Sequence, residues 1–589
     1  MAVLLLSIAG STAGPAASQP SSPLPARPAP IRFVEGAAAA GARAVHHTRA
    51  FPGKYADVLA MFTAGGAAVA VGDYDGDGWE DLFVTDSALG ARSHLFHNNG
   101  PDKSGRVTFT DVAESAGVAG GNDSLSIVSD ALWFDADNDG REDLLVARFG
   151  TPILYRNLGN GRFADVSTAS GLTKFGNTIA AVAFDYDNDG RLDLLFGNYF
   201  QPVNLLAGKD RHVLPDNLDQ AANGGGVTLW HNEGPNAKGG VTFVETTAKA
   251  GLARHTGWTL DVGHADLDND GWQDVYLACD YGTDRLFLNH RDGTFVEVTE
   301  KAIGIDTKKG MNVDFGDYDR DGWLDVYVTN ITDEYMKECN MLWHNNGVDA
   351  AGQLTFTDVS KETGTCSTLW GWGAKWGDFD DDGWLDLFAV DGLRSAGPKN
   401  YIPVLVEMIV KPGVDFTDLA SWPPIGDMSW SGYQKKKLFR NLGDGTFREM
   451  AAAAGVDNDR DGRGIGVGDL DNDGRLDLYQ TNAAQPSLLY WNRSDAGHWI
   501  EVKLVGTRSN RDAIGARVTV AVGGAKLLRE VDGGNGYASQ SSHRLHFGLG
   551  KATAVDAIEV RWPSGLVERV TAPVDRITTV REGSGVAVR

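Results

Sequence analysis

The nine residues Asp73-Tyr74-Asp75-Gly76-Asp77-Gly78-Trp79-Glu80-Asp81 put carboxylates at positions 1, 3, 5 and 9 of a short loop and a glycine at position 6. Four carboxylates and the backbone carbonyl of position 7 offer a hard cation an all-oxygen cage, and the glycine allows the sharp turn that closes it. Leu82-Phe83-Val84 follows at once as a short apolar run of strand type. The pattern returns six more times, so the candidate ligand sets are Asp73, Asp75, Asp77, Trp79 and Asp81; Asp135, Asp137, Asp139, Arg141 and Asp143; Asp185, Asp187, Asp189, Arg191 and Asp193; Asp266, Asp268, Asp270, Trp272 and Asp274; Asp317, Asp319, Asp321, Trp323 and Asp325; Asp378, Asp380, Asp382, Trp384 and Asp386; and Asp469, Asp471, Asp473, Arg475 and Asp477. Trp and Arg at position 7 contribute their carbonyls only. Every acidic position of every copy is Asp, which points to about seven structural Ca2+ sites; Mg2+ fits less well because it keeps its waters and a rigid octahedron.

The loop starts lie 62, 50, 81, 51, 61 and 91 residues apart, so a unit of about 50 residues carries insertions. Each unit has a second marker, an apolar pair and then Asn two residues on, ending at Asn98, Asn157, Asn232, Asn289, Asn345, Asn441 and Asn492. A third marker, Phe-x-Asp/Glu running to Gly, is seen at Phe109, Phe163, Phe295 and Phe447. Short alternating segments between Gly, Asn and Asp turns predict about four strands per unit, the pattern of a propeller blade. Phe33-Val34-Glu35 stands before the first loop and nothing equivalent follows Asn492. The N-terminal segment is therefore expected to complete the last blade and leave no open edge. The expected fold is all-β, a seven-bladed β-propeller over residues 31–493. Insertions at about 199–226 and 391–437 are the leading candidates for a binding rim.

The formal net charge is −26, and seven divalent ions would bring it to −12. No basic stripe offsets the acidic field, which argues against a nucleic-acid partner. The three cysteines, Cys279, Cys339 and Cys366, are scattered in a long chain, the pattern of buried free thiols, with a Cys339–Cys366 bridge as the alternative. Val3 to Ala9 followed by small residues and a Pro/Ser-rich stretch to Pro30 is signal-like, with Gly14-Pro15-Ala16 as one possible cleavage site, although no Lys or Arg precedes Arg27. Residues 1–30 are read as a leader and linker, and no other run approaches a membrane span. Calcium sites of this kind also suit a calcium-rich compartment, so a secreted or periplasmic location is expected.

Other motifs carry less. Asp457 to Gly462 imitates a loop but has Ile465 where the last carboxylate should stand, and is read as a decoy. His97, His231 and His344 recur at one blade position and are assigned to the repeat. His46, His47 and His264 lack that explanation, but a transition-metal site there is disfavoured because adjacent side chains on a strand diverge. Asp210, Arg211 and His212, in the first insertion, are the candidate catalytic residues, as acid, anion clamp and base. Trp370, Trp372 and Trp376 alternate with small residues and Lys375, which leaves indole faces for blade packing or for a ligand. No nucleophile elbow, HExxH helix or phosphate-binding loop is present.

After Arg493 the loops cease, and alternating segments such as His498 to Leu504, Ala516 to Val520 and Ala557 to Trp562 predict a small β-domain over residues 494–589. The calcium loops with their Asn and Phe markers resemble the FG-GAP and VCBS repeats of integrin-type propellers. Gly506 to Val518, Gly548-Leu549-Gly550 and Trp562-Pro563-Ser564-Gly565 resemble the ASPIC/UnbV domain. Together they resemble the cartilage acidic protein family. The resemblance implies a calcium-binding adhesion or ligand-binding module with an extracellular protein or glycan as partner. The alternative is a lyase or hydrolase acting on a polysaccharide or other natural product at the channel mouth. No feature of the sequence sets an oligomeric state.

Overall fold

The computed structural model describes residues 31–53, 56–207, 213–237, 240–414 and 421–588. The chain is all-β in character. Among the described residues, seven four-stranded antiparallel units follow one another, the first being Val69–Gly72, Asp81–Val84, His94–Pro101 and Val107–Asp111. The second and third units are joined where Phe149 and Gly150 pair with Asn177 and Gly176. The first strands, Val69–Gly72, Ile127–Phe134, Gly176–Phe184, Thr259–Ala265, Asn312–Gly316, Gly371–Gly377 and Gly462–Gly468, pack each against the next, and the last packs against the first. These inner strands are buried on both faces and mostly apolar or small, with Asp130, Asp261, His264, Asp314, Lys375 and Arg463 as buried polar exceptions.

Closure uses the N-terminal segment. Phe33–Glu35 is the outer strand of the seventh unit, with Phe33 opposite Asn492 and Glu35 opposite Tyr490. A second device explains the Asn marker. In each unit the Asn backbone N–H donates to the last Asp of the loop at 2.7–2.9 Å. Its side-chain amide reaches the carbonyl of loop position 2 in the preceding unit, also at 2.7–2.9 Å. Asn98 makes this bond to Leu470, so the ladder runs round the ring and meets itself.

Asn98→Ala would strand the buried carbonyls of Glu80 and Leu470, at about 1–3 kcal/mol each. The expected loss in denaturant unfolding is about 2–4 kcal/mol. Asn99→Ala, at the exposed neighbour, should stay within about 0.5 kcal/mol; equal effects would remove the ladder from the account.

The C-terminal strands form two sheets of their own. One has His498–Val505 between Leu545–Gly550 and Ile577–Arg581, and the other is built on Arg517–Val522 and Ala557–Arg561. They are not detached from the ring. The segment between Ala525–Glu530 and Leu545–Gly550 runs through the central channel and touches the inner strand of every unit. Its Gly533 carbonyl accepts from Ala183 N–H at 2.9 Å, and its N–H donates to His264 Nε2 at 3.0 Å. Asn535 and His264 exchange two bonds of 2.9 Å, and Lys375 Nζ donates to the Asn535 carbonyl. Tyr537 N–H donates to Asn312 at 2.9 Å, and Ser539 Oγ accepts from Ile465 N–H at 2.8 Å. Ser539–Gln540 pairs in parallel with Val69–Ala70, while the Gln540 amide accepts from Trp133 N–H at 2.7 Å and donates to its carbonyl at 2.8 Å. The strand pattern after Arg493 predicted the sheets; the plug is made of the irregular residues between them, which carry no periodic signal.

Cys339 and Cys366 are disulfide-bonded, against the expectation of free thiols. The Asn340 N–H to Cys366 carbonyl bond of 2.8 Å holds the two stretches side by side, with Cα atoms 4.9 Å apart. A separation of 27 residues does not reveal that proximity. Cys279 is free and buried.

Candidate functional site

Each acidic loop connects the first strand of a unit to the second, so position 1 follows an inner strand and position 9 begins its partner, as Asp73 and Asp81 do. Two backbone positions explain the composition. Gly at position 6 has φ between 86° and 94° in all seven copies, and position 4 is left-handed in all seven, filled by Gly76, Asn138, Asn188, Asn269, Arg320, Asp381 and Asn472. Gly and Asn tolerate that region, and Asn adds an amide. Asn138 donates to the Gly190 carbonyl of the next loop at 2.8 Å, and Asn472 donates to Gly78 at 3.0 Å across the seam.

The turn brings the carboxylates together. Oxygens of Asp73, Asp75 and Asp81 lie within 4.8 Å of one another, as do those of Asp135, Asp137 and Asp143. The position 9 aspartates are all buried, and oxygens of Asp73, Asp81, Asp187, Asp380 and Asp471 are buried with no hydrogen-bond partner. Burial pushes Asp81 and Asp143 up to about 8 and Asp193 and Asp325 up to about 7. Burial, then the Asp512 charge, pushes Asp135 to about 9. A carboxylate so placed needs a proton or a cation. Orphaned oxygens in an all-oxygen donor set suit a hard divalent ion, whose chemistry here would be charge neutralisation and cross-linking of two strands.

Side chains outside the loops complete the surroundings. His97, His231 and His344 point Nδ1 at the position 9 Asp at 3.2, 3.1 and 3.3 Å. The repeat reading of these histidines holds, with a reason in the loops: each sits over the carboxylate cluster. Arg156, Arg440 and Arg493 cover Asp137, Asp380 and Asp471. The C-terminal sheets dock on this same face. Lys503 lies 3.3 Å from Asp73, Arg511 N–H donates to Asn138 at 2.8 Å, and Arg517 and Arg561 both reach Asp266. Arg544 donates to Asn472 and to the Gly78 carbonyl, each at 2.8 Å.

The two insertions meet at the other end of the ring. They leave from the ends of second strands, opposite the acidic turns, and together with the helix Ala56–Thr63 they enclose a cavity of about 260 Å³. Tyr199, Leu214, Leu405, Met408, Trp422 and Trp430 come from the insertions, Trp370 and Trp372 from the start of an inner strand, and Tyr537 from the plug. Of the three alternating tryptophans, Trp376 goes to blade packing, stacked on Tyr318 with ring centroids 6.3 Å apart, while Trp370 and Trp372 line this chamber.

The remaining candidates do not converge. Asp210, Arg211 and His212 lie outside the described residues. His46 bonds to Ser87 Oγ at 3.0 Å and His47 to Asp86 at 2.7 Å, in different directions, and His264 is taken up by Gln273 and the plug. Asp461 of the decoy accepts from the Ser395 hydroxyl at 2.7 Å and holds the second insertion. No described helix is long and apolar enough to cross a membrane.

Comparison with known proteins agrees with the repeat geometry. The FG-GAP-like repeat profile matches residues 135–196, 266–328 and 417–480, spans that include five of the seven loops, and the ASPIC and UnbV profile matches 506–587. The chain carries FG-GAP-like repeats and an ASPIC/UnbV domain. It is 26% identical to cartilage acidic protein 1 of Homo sapiens over 341 residues, 56% of this chain and 44% of that one. The Xenopus tropicalis protein is 24% identical over 56% of this chain and 45% of its own. The chain thus spans less than half the length of these curated relatives. Among solved structures, an Agrocybe aegerita lectin specific for non-reducing terminal N-acetylglucosamine matches at 16% identity over 66% of this chain and 82% of that chain, with a TM-score of 0.35. Saccharomyces cerevisiae Sqt1 matches at 11% over 72% and 96%, also at 0.35. Scores of this size carry no argument about fold or ligand.

Two sets of residues in this chain escaped the sequence reading. The position 4 residues gave a signal, since Asn fills four of seven copies, a preference no ligand role requires. The plug residues gave none, because their partners lie some 70 to 470 residues away.

Proposed function

We propose that the protein is an exported calcium-binding β-propeller that serves as an adhesion or ligand-binding module, with one structural Ca2+ in each of the seven loops and an extracellular protein or glycan as its partner. In this reading residues 1–30 are a signal-like leader and Pro/Ser-rich linker, 31–493 the ring and 494–589 the ASPIC/UnbV-like β-domain. The observation that carries it is the set of buried loop oxygens without partners, which a hard cation would satisfy and a protein donor does not. The likeness to cartilage acidic protein 1 supports an extracellular setting. The plug favours binding over catalysis within the channel, because its backbone and side chains occupy the axis.

Equilibrium dialysis followed by metal analysis tests the count. About seven Ca2+ per chain are expected, with Mg2+ displaced, and two or fewer would sink the reading. A pH profile is a second check. Asp81 and Asp143, raised to about 8 from 3.8 by burial, contribute stability that is complete below the unfolded value and lost as pH rises through about 8. Chelated protein should therefore melt higher at about pH 5 than at pH 8. Calcium-loaded protein should show the reverse, since protons compete with metal for the same oxygens. Parallel profiles in chelator and in calcium would contradict this.

A further inference from the structure

We propose that the chamber at the end of the ring opposite the acidic loops binds a small organic cation, an alkylated ammonium carried on an apolar body. This goes beyond the calcium-module reading, and because the chamber shares no residue with the loops, either can fail without the other.

Well-packed interiors hold few voids larger than a water molecule, whereas this one measures about 260 Å³ and is walled largely by rings. Trp430 meets Trp370 edge to face with centroids 5.7 Å apart, Trp422 lies 6.0 Å from Trp430, and Tyr335 lies 6.1 Å from Trp370. Tyr335, Trp370 and Trp422 are only partly buried, so ring surface is open to an occupant. Ring faces attract a cation, most strongly where water is excluded. Leu218, Met336 and Val406 line the chamber and are exposed, which marks its mouth.

The charges select the sign. Asp219 and Asp280 stand on the wall against a single ammonium, that of Lys309. Lys309 is engaged by Glu338 at 3.3 Å and Asp219 at 3.7 Å. Asp280 is buried but keeps 8% of its surface accessible; it accepts the Tyr199 hydroxyl, and no ion pair among the described residues neutralises it. Burial pushes its carboxyl up only to about 6, so it is charged at neutral pH. Burial, then the Asp280 charge, holds the Tyr199 and Tyr281 hydroxyls well above their ordinary value, so both stay neutral. Arg463 packs over Trp372 at 4.1 Å but is not part of the wall, and it donates to the carbonyls of Gly392, Gly462 and Leu393. A hard metal ion would need about six to eight oxygens, and beyond Asp280 the buried wall offers mainly rings and aliphatic carbon. An ammonium whose substituents are carbon is satisfied by ring faces and one carboxylate.

Isothermal titration of the full chain in calcium buffer with (4-hydroxyphenyl)trimethylammonium, its neutral carbon isostere 4-tert-butylphenol, and 4-hydroxybenzenesulfonate tests this. The cation should bind saturably and about tenfold more tightly than the isostere, and the sulfonate should bind more weakly than either. Asp280→Asn keeps an acceptor for the Tyr199 hydroxyl and should bring cation and isostere within about twofold of each other. Trp422→Leu, at a partly exposed ring, should weaken the cation more than the isostere, and it decides the matter if the Asp280 variant does not fold. No saturable binding of the cation, equal affinity for cation and isostere in the unaltered chain, or an undiminished preference in either variant would overturn the proposal.

Discussion

Chelation of calcium is expected to lower the melting temperature by about 15–25 °C, the largest single effect the chain should show. A site filled at a thousandfold excess over its dissociation constant contributes about 4 kcal/mol of linkage free energy, so seven sites contribute nearly 30 kcal/mol. With an unfolding entropy of about 2.1 cal/mol/K per residue, a chain of 589 residues changes stability by about 1.2 kcal/mol per degree near its midpoint. Repulsion among the unneutralised carboxylates adds to the loss: a pair roughly 5 Å apart repels by about 3 kcal/mol at an effective dielectric near 20. Asp81→Asn and Asp477→Asn stand in loops that the Asn98 to Leu470 bond connects across the seam. Their combined effect should therefore fall short of the sum of the two single losses, because the shared connection is lost only once, whereas Asp81→Asn with Asp274→Asn, several units apart, should add. Calorimetry with and without chelator is the measurement, and an unchanged melt would remove metal from the account of this fold.

Truncation after Arg493 is expected to leave a ring that does not fold to a soluble monomer, although it would hold all seven acidic loops. The inner strands are buried against the plug as well as against one another, and its removal would open Trp133, Ile465 and Val467 and their backbone groups to the axis. Lys375 shows the electrostatic side of this. Burial would strip its proton, but Asp314, Asp532 and Asp261 hold its pKa above the ordinary value, and its ammonium reaches Asp314 at 3.4 Å and the Asn535 carbonyl. Lys375→Met would leave buried carboxylates without their cation, at about 3–5 kcal/mol. Gln540→Ala would strand the N–H and carbonyl of Trp133, at about 1–3 kcal/mol each. Limited proteolysis and sedimentation of the truncated chain decide the matter: a monodisperse, protease-resistant 31–493 fragment would show that the plug is dispensable.

The loops were legible because their chemistry is local. Nine consecutive residues hold all four carboxylates and the left-handed turn that gathers them, so neither Asp73 to Asp81 nor its six copies required knowledge of distant chain. Phe33-Val34-Glu35 could be matched to the seventh unit by counting markers, since repetition turns a long-range pairing into a missing term. The Asn marker was visible as a pattern without a cause, because its partner is a backbone carbonyl of the preceding unit, which no side chain announces. The His marker was assigned to the repeat, yet its contact with the position 9 Asp depends on strand pairing.

What the sequence by itself determined was the all-β repeat architecture, the acidic turns and the place where the repeats end, each written in short-range spacing of Asp, Gly and Asn. The tertiary structure alone decided that Asp532 to Arg544 fills the axis, that Cys339 meets Cys366, and that Tyr537 lies beneath Trp372, their ring centroids 5.1 Å apart. These contacts join irregular segments separated by tens to hundreds of residues, and single buried hydrogen bonds and ring contacts impose no periodicity on the chain that makes them.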